Sequence, residues 1–266
     1  MPPIYYINLA SRPDRRAHME AQFAALGLSA QRIEAVTPAE LSASDVALYC
    51  NPERRGLLRQ NELACTLSHE KAWQALLDSG HDRALVFEDD AQLSSLLPAF
   101  LQEAETIDVD LIRLETTGIA LRVFPVLSTG ASGIALRPFR STPLGAAGYI
   151  IRAEAARRII GHPGLRRRQV DLAIYSPFEE PGALLSRLLV DPALCRQLNS
   201  AEGKTEAVAR SDVDVNHVVH AYAIAHPIRF RALKWSRGLK RGLRNAGDHF
   251  VQQSKGLRRR VIPFAE

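Results

Sequence analysis

Three consecutive acids, Glu88, Asp89 and Asp90, follow directly on Ala84-Leu85-Val86-Phe87, a wholly apolar run with the length and composition of a buried strand. Carboxylates at the end of such a strand stand where open α/β sheets gather ligands. They offer the hard oxygen donors that Mg²⁺ or Mn²⁺ takes together with a substrate phosphate. The same tripeptide also reads as a solvated turn that stabilises the start of a following helix. A second group closes the first apolar run: Asn8, Arg12, Arg15 and Arg16 within NLASRPDRR. Guanidinium groups pair with phosphates at two points and a helix start adds backbone donors, so this segment fits a nucleotide diphosphate. The alternative is a solvated helix start capped by Asp14.

Both groups depend on the strands that end at them. IYYINLA (4–10) reads as a buried strand, and the helix beginning at Asp14 repeats Met19, Phe23 and Leu26 before stopping at Gly27. QRIEAV (31–36) reads as a second strand, 39–60 as an irregular excursion, and 61–80 as a helix with Leu63, Leu67, Trp73, Leu76 and Leu77 in phase and Gly80 as its stop. After the 84–87 strand come a helix over 94–107, a strand DLIRLE (110–115) and a stretch at 116–143 rich in Gly, Ser and Pro. A helix near 152–160 and a basic turn at 161–169 follow, then a loop-rich passage to about 216. Strands alternating with helices imply an α/β sheet covered on both faces.

At 266 residues, with 46% hydrophobic and 24% charged residues, the chain has the composition of an ordinary globular domain. Cys50, Cys65 and Cys195 are odd in number and widely spaced, which argues against a disulfide framework or a zinc cage and for a reducing compartment. No export signal is visible in MPPIYYINLASRPDRR and no apolar run reaches spanning length, so a cytoplasmic protein is expected. The net charge of +5 is unevenly placed. Residues 226–266 hold eleven Lys or Arg against two acids, a local +9, which leaves −4 for residues 1–225. An acidic body is a poor nucleic-acid enzyme, and nucleic acid is not expected as a partner. The boundary is therefore drawn between a catalytic domain at 1–225 and a basic helical tail at 226–266. In that tail Trp235, Leu239 and Leu243 form an apolar stripe flanked by Lys and Arg, which suits an anionic membrane surface; the alternative is a stripe that packs on the domain.

INLASRPDRR, RIEAV, ELACTLSHEKAW, LVFEDD, DLIRLE, GAAGYIIRAEAARRI, VDLAI and PALCRQ, in that order, make the chain resemble glycosyltransferase family 25, the lipooligosaccharide galactosyltransferases related to collagen β-galactosyltransferases. The resemblance runs from about residue 4 to 212. Leu63-Ala64-Cys65 and Thr37-Pro38 depart from the usual pattern. It implies a GT-A-like, Rossmann-type mixed sheet flanked by helices, a nucleotide-sugar donor such as UDP-galactose, and Mn²⁺ or Mg²⁺ on the diphosphate. By the same resemblance Asn8, Arg12 and Arg15 fall on the nucleotide-binding segment, Glu34 and Ala35 near uridine, and Ser68 and His69 on the helix facing the donor sugar. Glu88 and Asp90 become the ends of a DxD-like metal motif, with Asp90 the direct ligand and Asp89 grouped with the donor contacts.

The reaction so implied is inverting transfer of a hexose to a lipid-linked or free oligosaccharide acceptor at the cytoplasmic face of the inner membrane. Inversion needs a carboxylate to take the acceptor proton. Asp171 is the first choice for that base and Glu115 the reserve. Two other readings stay open: a non-catalytic glycan-binding member of the same fold, and a nucleotidyltransferase. The latter is disfavoured because no GxGxxxR loop follows the first strand.

Overall fold

The structure, a computed structural model, describes residues 1–51, 58–198 and 254–266, together with residues 228, 231, 235, 247 and 251. In chain order the first half comprises β1 (Ile4–Asn8), α1 (Pro13–Ala25), β2 (Gln31–Glu34), α2 (Ala43–Tyr49), α3 (Gln60–Ser79), β3 (Arg83–Glu88), β4 (Ala91–Leu93) and α4 (Leu97–Ala104). The second half comprises β5 (Leu111–Arg113), β6 (Glu115–Thr116), β7 (Leu121–Val123), β8 (Ser128–Thr129), β9 (Ala135–Pro138), β10 (Gly148–Arg152), α5 (Ala153–Ile159), α6 (Val170–Tyr175), β11 (Arg187–Asp191), β12 (Cys195–Gln197) and β13 (Arg258–Arg260).

Eight strands form one mixed sheet in the order β2-β1-β3-β10-β5-β11-β9-β8. β1 runs parallel to β2 and β3, β10 is antiparallel to both β3 and β5, and β11 is parallel to β5. The carboxyl ends of β1, β2, β3, β5 and β11 therefore share one edge, where the start of β10 joins them. Alternate residues of each strand supply two cores. Tyr5, Ile7, Val86, Tyr149 and Ile151 pack with Trp73 and Leu76 of α3 and with α5 and α6. Ile4, Tyr6, Leu85, Phe87 and Ile150 pack with Met19 and Phe23 of α1 and with Phe100 and Leu101 of α4. This is the α/β class expected, with a sheet covered on both faces.

Several local expectations needed correction. The helix α2 and the strand β4 lie in stretches read as irregular or not read at all. The segment 116–143 is not a simple loop but carries β7, β8 and β9. Strands β10 and β11 sit inside the sheet although the second half had been read as one helix and loops. These strands are two to five residues long, too short for period-two alternation to stand out from turns.

The basic segment is joined to the domain at its far end, so the division at 225/226 does not hold for residues 257–266. β13 pairs antiparallel with β7, Ala193 N–H donates to Pro263 O at 2.8 Å, and Ala265 N–H donates to Ala193 O at 2.9 Å. Leu257, Ile262 and Ala265 are buried, and Arg260 pairs with Asp191 at 2.8 Å. Of the apolar stripe only Trp235 is described, as helical and 73% exposed; Leu239 and Leu243 lie outside the described residues. No helix among the described residues is long and apolar enough to cross a membrane.

Ile262 is 3% exposed in this returning segment. Ile262→Ala is expected to lower stability by about 2–4 kcal/mol in chemical denaturation. A loss no greater than that of a surface substitution would show that the segment is not part of the cooperative fold.

Candidate active site

The acids at the end of β3 are separated by the pleat. Glu88 shares the face of Ala84 and Val86 and so points toward α3; Asp89 shares the face of Leu85 and Phe87 and points toward α1. Asp89 is fully engaged there. Its Oδ2 accepts from Asn8 Nδ2 at 2.7 Å and its Oδ1 from Arg15 Nη1 at 2.9 Å. Asn8 in turn donates to Arg12 O at 3.0 Å and accepts from Arg32 Nε at 3.0 Å. Asn8, Arg15 and Asp89 are all buried, so this group fastens β1, α1 and β3 together at the edge.

Glu88 is engaged from the other face. Its Oε1 accepts from His69 Nε2 at 3.2 Å and its Oε2 from Gln197 Nε2 at 3.2 Å. Burial alone would raise its pKa, but the hydrogen bonds from His69 and Gln197 and the nearby Arg15 outweigh it and hold the carboxyl below its ordinary value. Asp90 has no such compensation. Its Oδ1 is buried without a partner among the described residues, and Arg15, 3.8 Å from Oδ2, and the Asp90 backbone N–H oppose the negative field too weakly to offset it. Burial first, then the Glu88 charge, pushes Asp90 up to about 7. A divalent cation would supply both the missing partner and the missing positive charge. The donor set of Asp90 and Glu88, all carboxylate oxygen, suits Mn²⁺ or Mg²⁺.

The remaining expected residues fall as follows. Glu34, paired with Asn8 in the β1–β2 ladder, is exposed, and Ala35 beside it is buried with its N–H on Asn8 O at 3.1 Å. Both stand at the shared edge. Arg12 makes a two-point contact with Asp14 at 3.0 and 2.8 Å, and the guanidinium hydrogen bond holds Asp14 at about 2. Asp14 is not the N-cap residue, which is Arg12, but sits in the first turn, where its carboxylate accepts from the Arg15 backbone N–H. Ser68 is buried on α3. Its hydroxyl donates to Ala64 O and accepts from Val36 N–H, both at 2.8 Å, and so ties the exit of β2 to α3. His69 is buried and faces Glu88.

Glu115 and Asp171 meet through one glycine. Gly145 has φ of +84°, and a Cβ there would collide with the Glu115 carboxyl. Its N–H donates to Asp171 Oδ2 at 2.7 Å and its carbonyl accepts from Arg113 Nη1 at 2.5 Å. Glu115 is buried, with Oε2 held by Ala147 N–H at 3.0 Å and by Arg113 at 3.1 Å. Burial lifts it to about 8, with Arg113 opposing and Glu88 and Asp90 adding. Glu115 is thus enclosed by Arg113 and the Ala147 N–H and stays in reserve for the role of base. Asp171 is 9% exposed, and burial raises its pKa against the pull of the Gly145 and Leu172 N–H groups. A carboxylate with a raised pKa is a better proton acceptor.

The residues not singled out from sequence are Arg32, Gln197, Tyr149 and Trp73. Tyr149 sits within the apolar β10, where it reads as core. Gln197 reaches Glu88 only because β12 pairs with β4 next to the acids.

Comparison with known proteins places these residues in context. The model of glycosyltransferase family 25 (LPS biosynthesis protein) matches residues 1–172. The lacto-N-neotetraose biosynthesis glycosyltransferase LgtE of Neisseria meningitidis serogroup B is 33% identical over 206 residues, covering 73% of each chain. LgtB of Neisseria gonorrhoeae is 34% identical over 206 residues, again covering 73% of each. A human protein named inactive glycosyltransferase 25 family member 3 is 29% identical over 178 residues, 62% of this chain and 29% of that one.

The different settings of Asp89 and Asp90 have opposite consequences for stability. Asp89→Asn removes the carboxylate charge that accepts from Arg15 and Asn8 and is expected to cost about 3 kcal/mol. Asp90→Asn removes an uncompensated buried charge and is expected to raise stability by about 1 kcal/mol or more at pH 8 in metal-free buffer. Denaturant titration of both variants checks this; equal effects of the two would contradict the division of roles.

Proposed function

The chain belongs to glycosyltransferase family 25, and from that premise we propose that it transfers galactose from UDP-galactose, with inversion, to a lipopolysaccharide, lipooligosaccharide or other surface-glycan acceptor. The observation that carries this reading is Asp90, a buried carboxyl with an unpartnered oxygen at the edge where β1, β2 and β3 end together. A buried carboxylate oxygen of this kind, with a second carboxyl beside it, is suited to a cation. The same observation favours turnover over a non-catalytic glycan-binding role, and the tight β1–α1 turn, closed by Arg12 N–H on Leu9 O and Pro13, disfavours a nucleotidyltransferase phosphate loop.

Breaking the anomeric bond builds positive charge on the sugar ring and negative charge on the leaving diphosphate. Asp90, with Glu88 beside it, would hold Mn²⁺ or Mg²⁺, which would supply neutralisation of that leaving group. Asn8, Arg15 and Asp89 hold the edge rigid so that Asp90 need not move as charge develops. Arg12, Glu34 and Ala35 border the space for the nucleotide. Asp171 takes the proton from the acceptor hydroxyl as its oxygen bonds to the anomeric carbon, while the bond to the diphosphate breaks and UDP leaves. The basic residues of 226–256 hold the enzyme at the anionic cytoplasmic face of the inner membrane, where a lipid-linked acceptor is presented.

Product analysis with a UDP-sugar panel, truncated lipid-linked core oligosaccharides and Mn²⁺ or EDTA tests the reading. Asp90→Asn is expected to lose about 100-fold or more in transfer. Asp171→Asn should lower kcat with donor affinity in calorimetry unchanged. Full activity in EDTA would overturn the metal assignment, and loss of donor binding in Asp171→Asn would overturn its role as base.

Membrane attachment is tested by replacing Lys234, Arg237, Lys240, Arg241 and Arg244 with Gln, which spares β13. Each basic residue near an anionic leaflet contributes about 1 kcal/mol, so vesicle co-sedimentation at low salt should collapse. Unchanged sedimentation would remove the membrane from the reading.

A further inference from the structure

Trp73, Tyr149, His69 and Glu88 form a buried chain of hydrogen bonds whose direction is set by its first member. An indole N–H can only donate, and Trp73 Nε1 lies 2.8 Å from the Tyr149 hydroxyl, which accepts it. The hydroxyl has one proton of its own, and its other partner is His69 Nδ1, also at 2.8 Å. That proton is therefore given to Nδ1. A ring nitrogen that accepts is unprotonated, so the hydrogen of the neutral imidazole is on Nε2, 3.2 Å from Glu88 Oε1. Trp73, Tyr149 and His69 are each 0% exposed. The alignment is built into the fold: His69 and Trp73 are one turn apart on α3, and Tyr149 is the ladder partner of Val86, on the face that also carries Glu88.

A second set of atoms overlaps this chain. Cys65 Sγ, a ring nitrogen of His69 and a Glu88 oxygen lie within 4.8 Å of one another. Thiolate, imidazole and carboxylate at that spacing are the donors of a Zn²⁺ or Co²⁺ site, not of a Mn²⁺ or Mg²⁺ site. His69 can enter such a site only through Nε2, because Nδ1 is turned to Tyr149, and a nitrogen that carries a hydrogen has no lone pair to give.

We propose that Tyr149 is a positioning residue that keeps the Cys65–His69–Glu88 trio closed to thiophilic metals. By fixing His69 as the Nε2–H tautomer it aims one hydrogen at Glu88 and withholds the lone pair that a Zn²⁺-like ion needs. Glu88 then remains an oxygen donor facing Asp90. The last point rests on the cation reading of Asp90 and Glu88 given above; the tautomer and the closed trio do not. Without the Tyr149 hydroxyl nothing among the described residues donates to Nδ1, the ring is free to carry its hydrogen there, and Nε2 opens toward Cys65 and Glu88.

The test uses the full chain without donor or acceptor. Histidine ring ¹⁵N shifts, assigned by the signal lost in His69→Gln, are expected to show the Nε2–H tautomer of His69 in the unsubstituted protein; an Nδ1–H tautomer would overturn the proposal without any variant having to fold. Co²⁺ is then titrated and followed by its near-ultraviolet thiolate charge-transfer band. Tyr149→Phe is expected to bind Co²⁺ about tenfold or more tightly than the unsubstituted protein, the order of effect for groups that orient a metal ligand. Adding Cys65→Ser should remove the band. Equal Co²⁺ affinity with and without the hydroxyl, or a band that survives Cys65→Ser, would overturn it. Neither measurement reads sugar transfer, so an absence of transfer from any UDP-sugar would count against the proposed function and not against this inference.

Discussion

The pleat at the end of β3 is the constraint on which the candidate site depends. Three adjacent carboxyls repel one another, and a low-dielectric sheet edge magnifies that repulsion. Because successive residues point to opposite faces, Glu88 is taken up by α3 through His69, while Asp89 is taken up by β1 and α1 through Asn8 and Arg15. The two faces thus absorb two of the three charges. Asp90 is left over, and the same bonds that settle its neighbours prevent it from turning away. Replacing any of Asn8, Arg15 or His69 would act on Asp90 by loosening the residue beside it.

The parallel half of the sheet was legible in the sequence because its strands are long enough to show their character. IYYIN and ALVF announce themselves as buried, and the acids and arginines at their ends mark the shared edge. The antiparallel half was not. β10 is GYIIR, whose apolar residues continue into the alanine-rich helix α5 without a break, and β11 is a five-residue run inside a stretch of turns. The site followed the same division. Glu88, Asp89 and Asp90 could be found from their position, whereas the partners that distinguish them come from elements distant in sequence: His69 from α3, Gln197 from β12, and Tyr149 from the unrecognised β10. Pairing across a sheet is a tertiary fact, and local pattern carries little of it.

Gly145 illustrates how the second half serves the first. A left-handed residue at the mouth of β10 turns its N–H to Asp171 and its carbonyl to Arg113, and its lack of a Cβ lets the Glu115 carboxyl lie against it. Arg113 sits under the Tyr175 ring at 4.8 Å and pairs with Glu115, so α6, β5 and the 144–147 turn meet at one buried cation. Asp171 owes its position to that meeting point. It is set by β5, α6 and the turn that enters the antiparallel β10, elements other than those that set Asp90, which leaves the two carboxyls on separately supported pieces of the same edge.

The return of residues 257–266 to the domain has a bearing on how the molecule is made. These residues bury Leu257 and Ile262 and bond both sides of Ala193, in the segment between β11 and β12. During vectorial synthesis, β1 to β12 emerge well before their last neighbour, so the far end of the sheet waits, with apolar surface uncovered, until some sixty further residues have left the ribosome. The basic stretch therefore begins after Leu198, whose N–H donates to Asp90 O at 3.0 Å, and is followed by Leu257, which is buried in the domain, so the sequence on either side of it belongs to the same fold as the acids of β3.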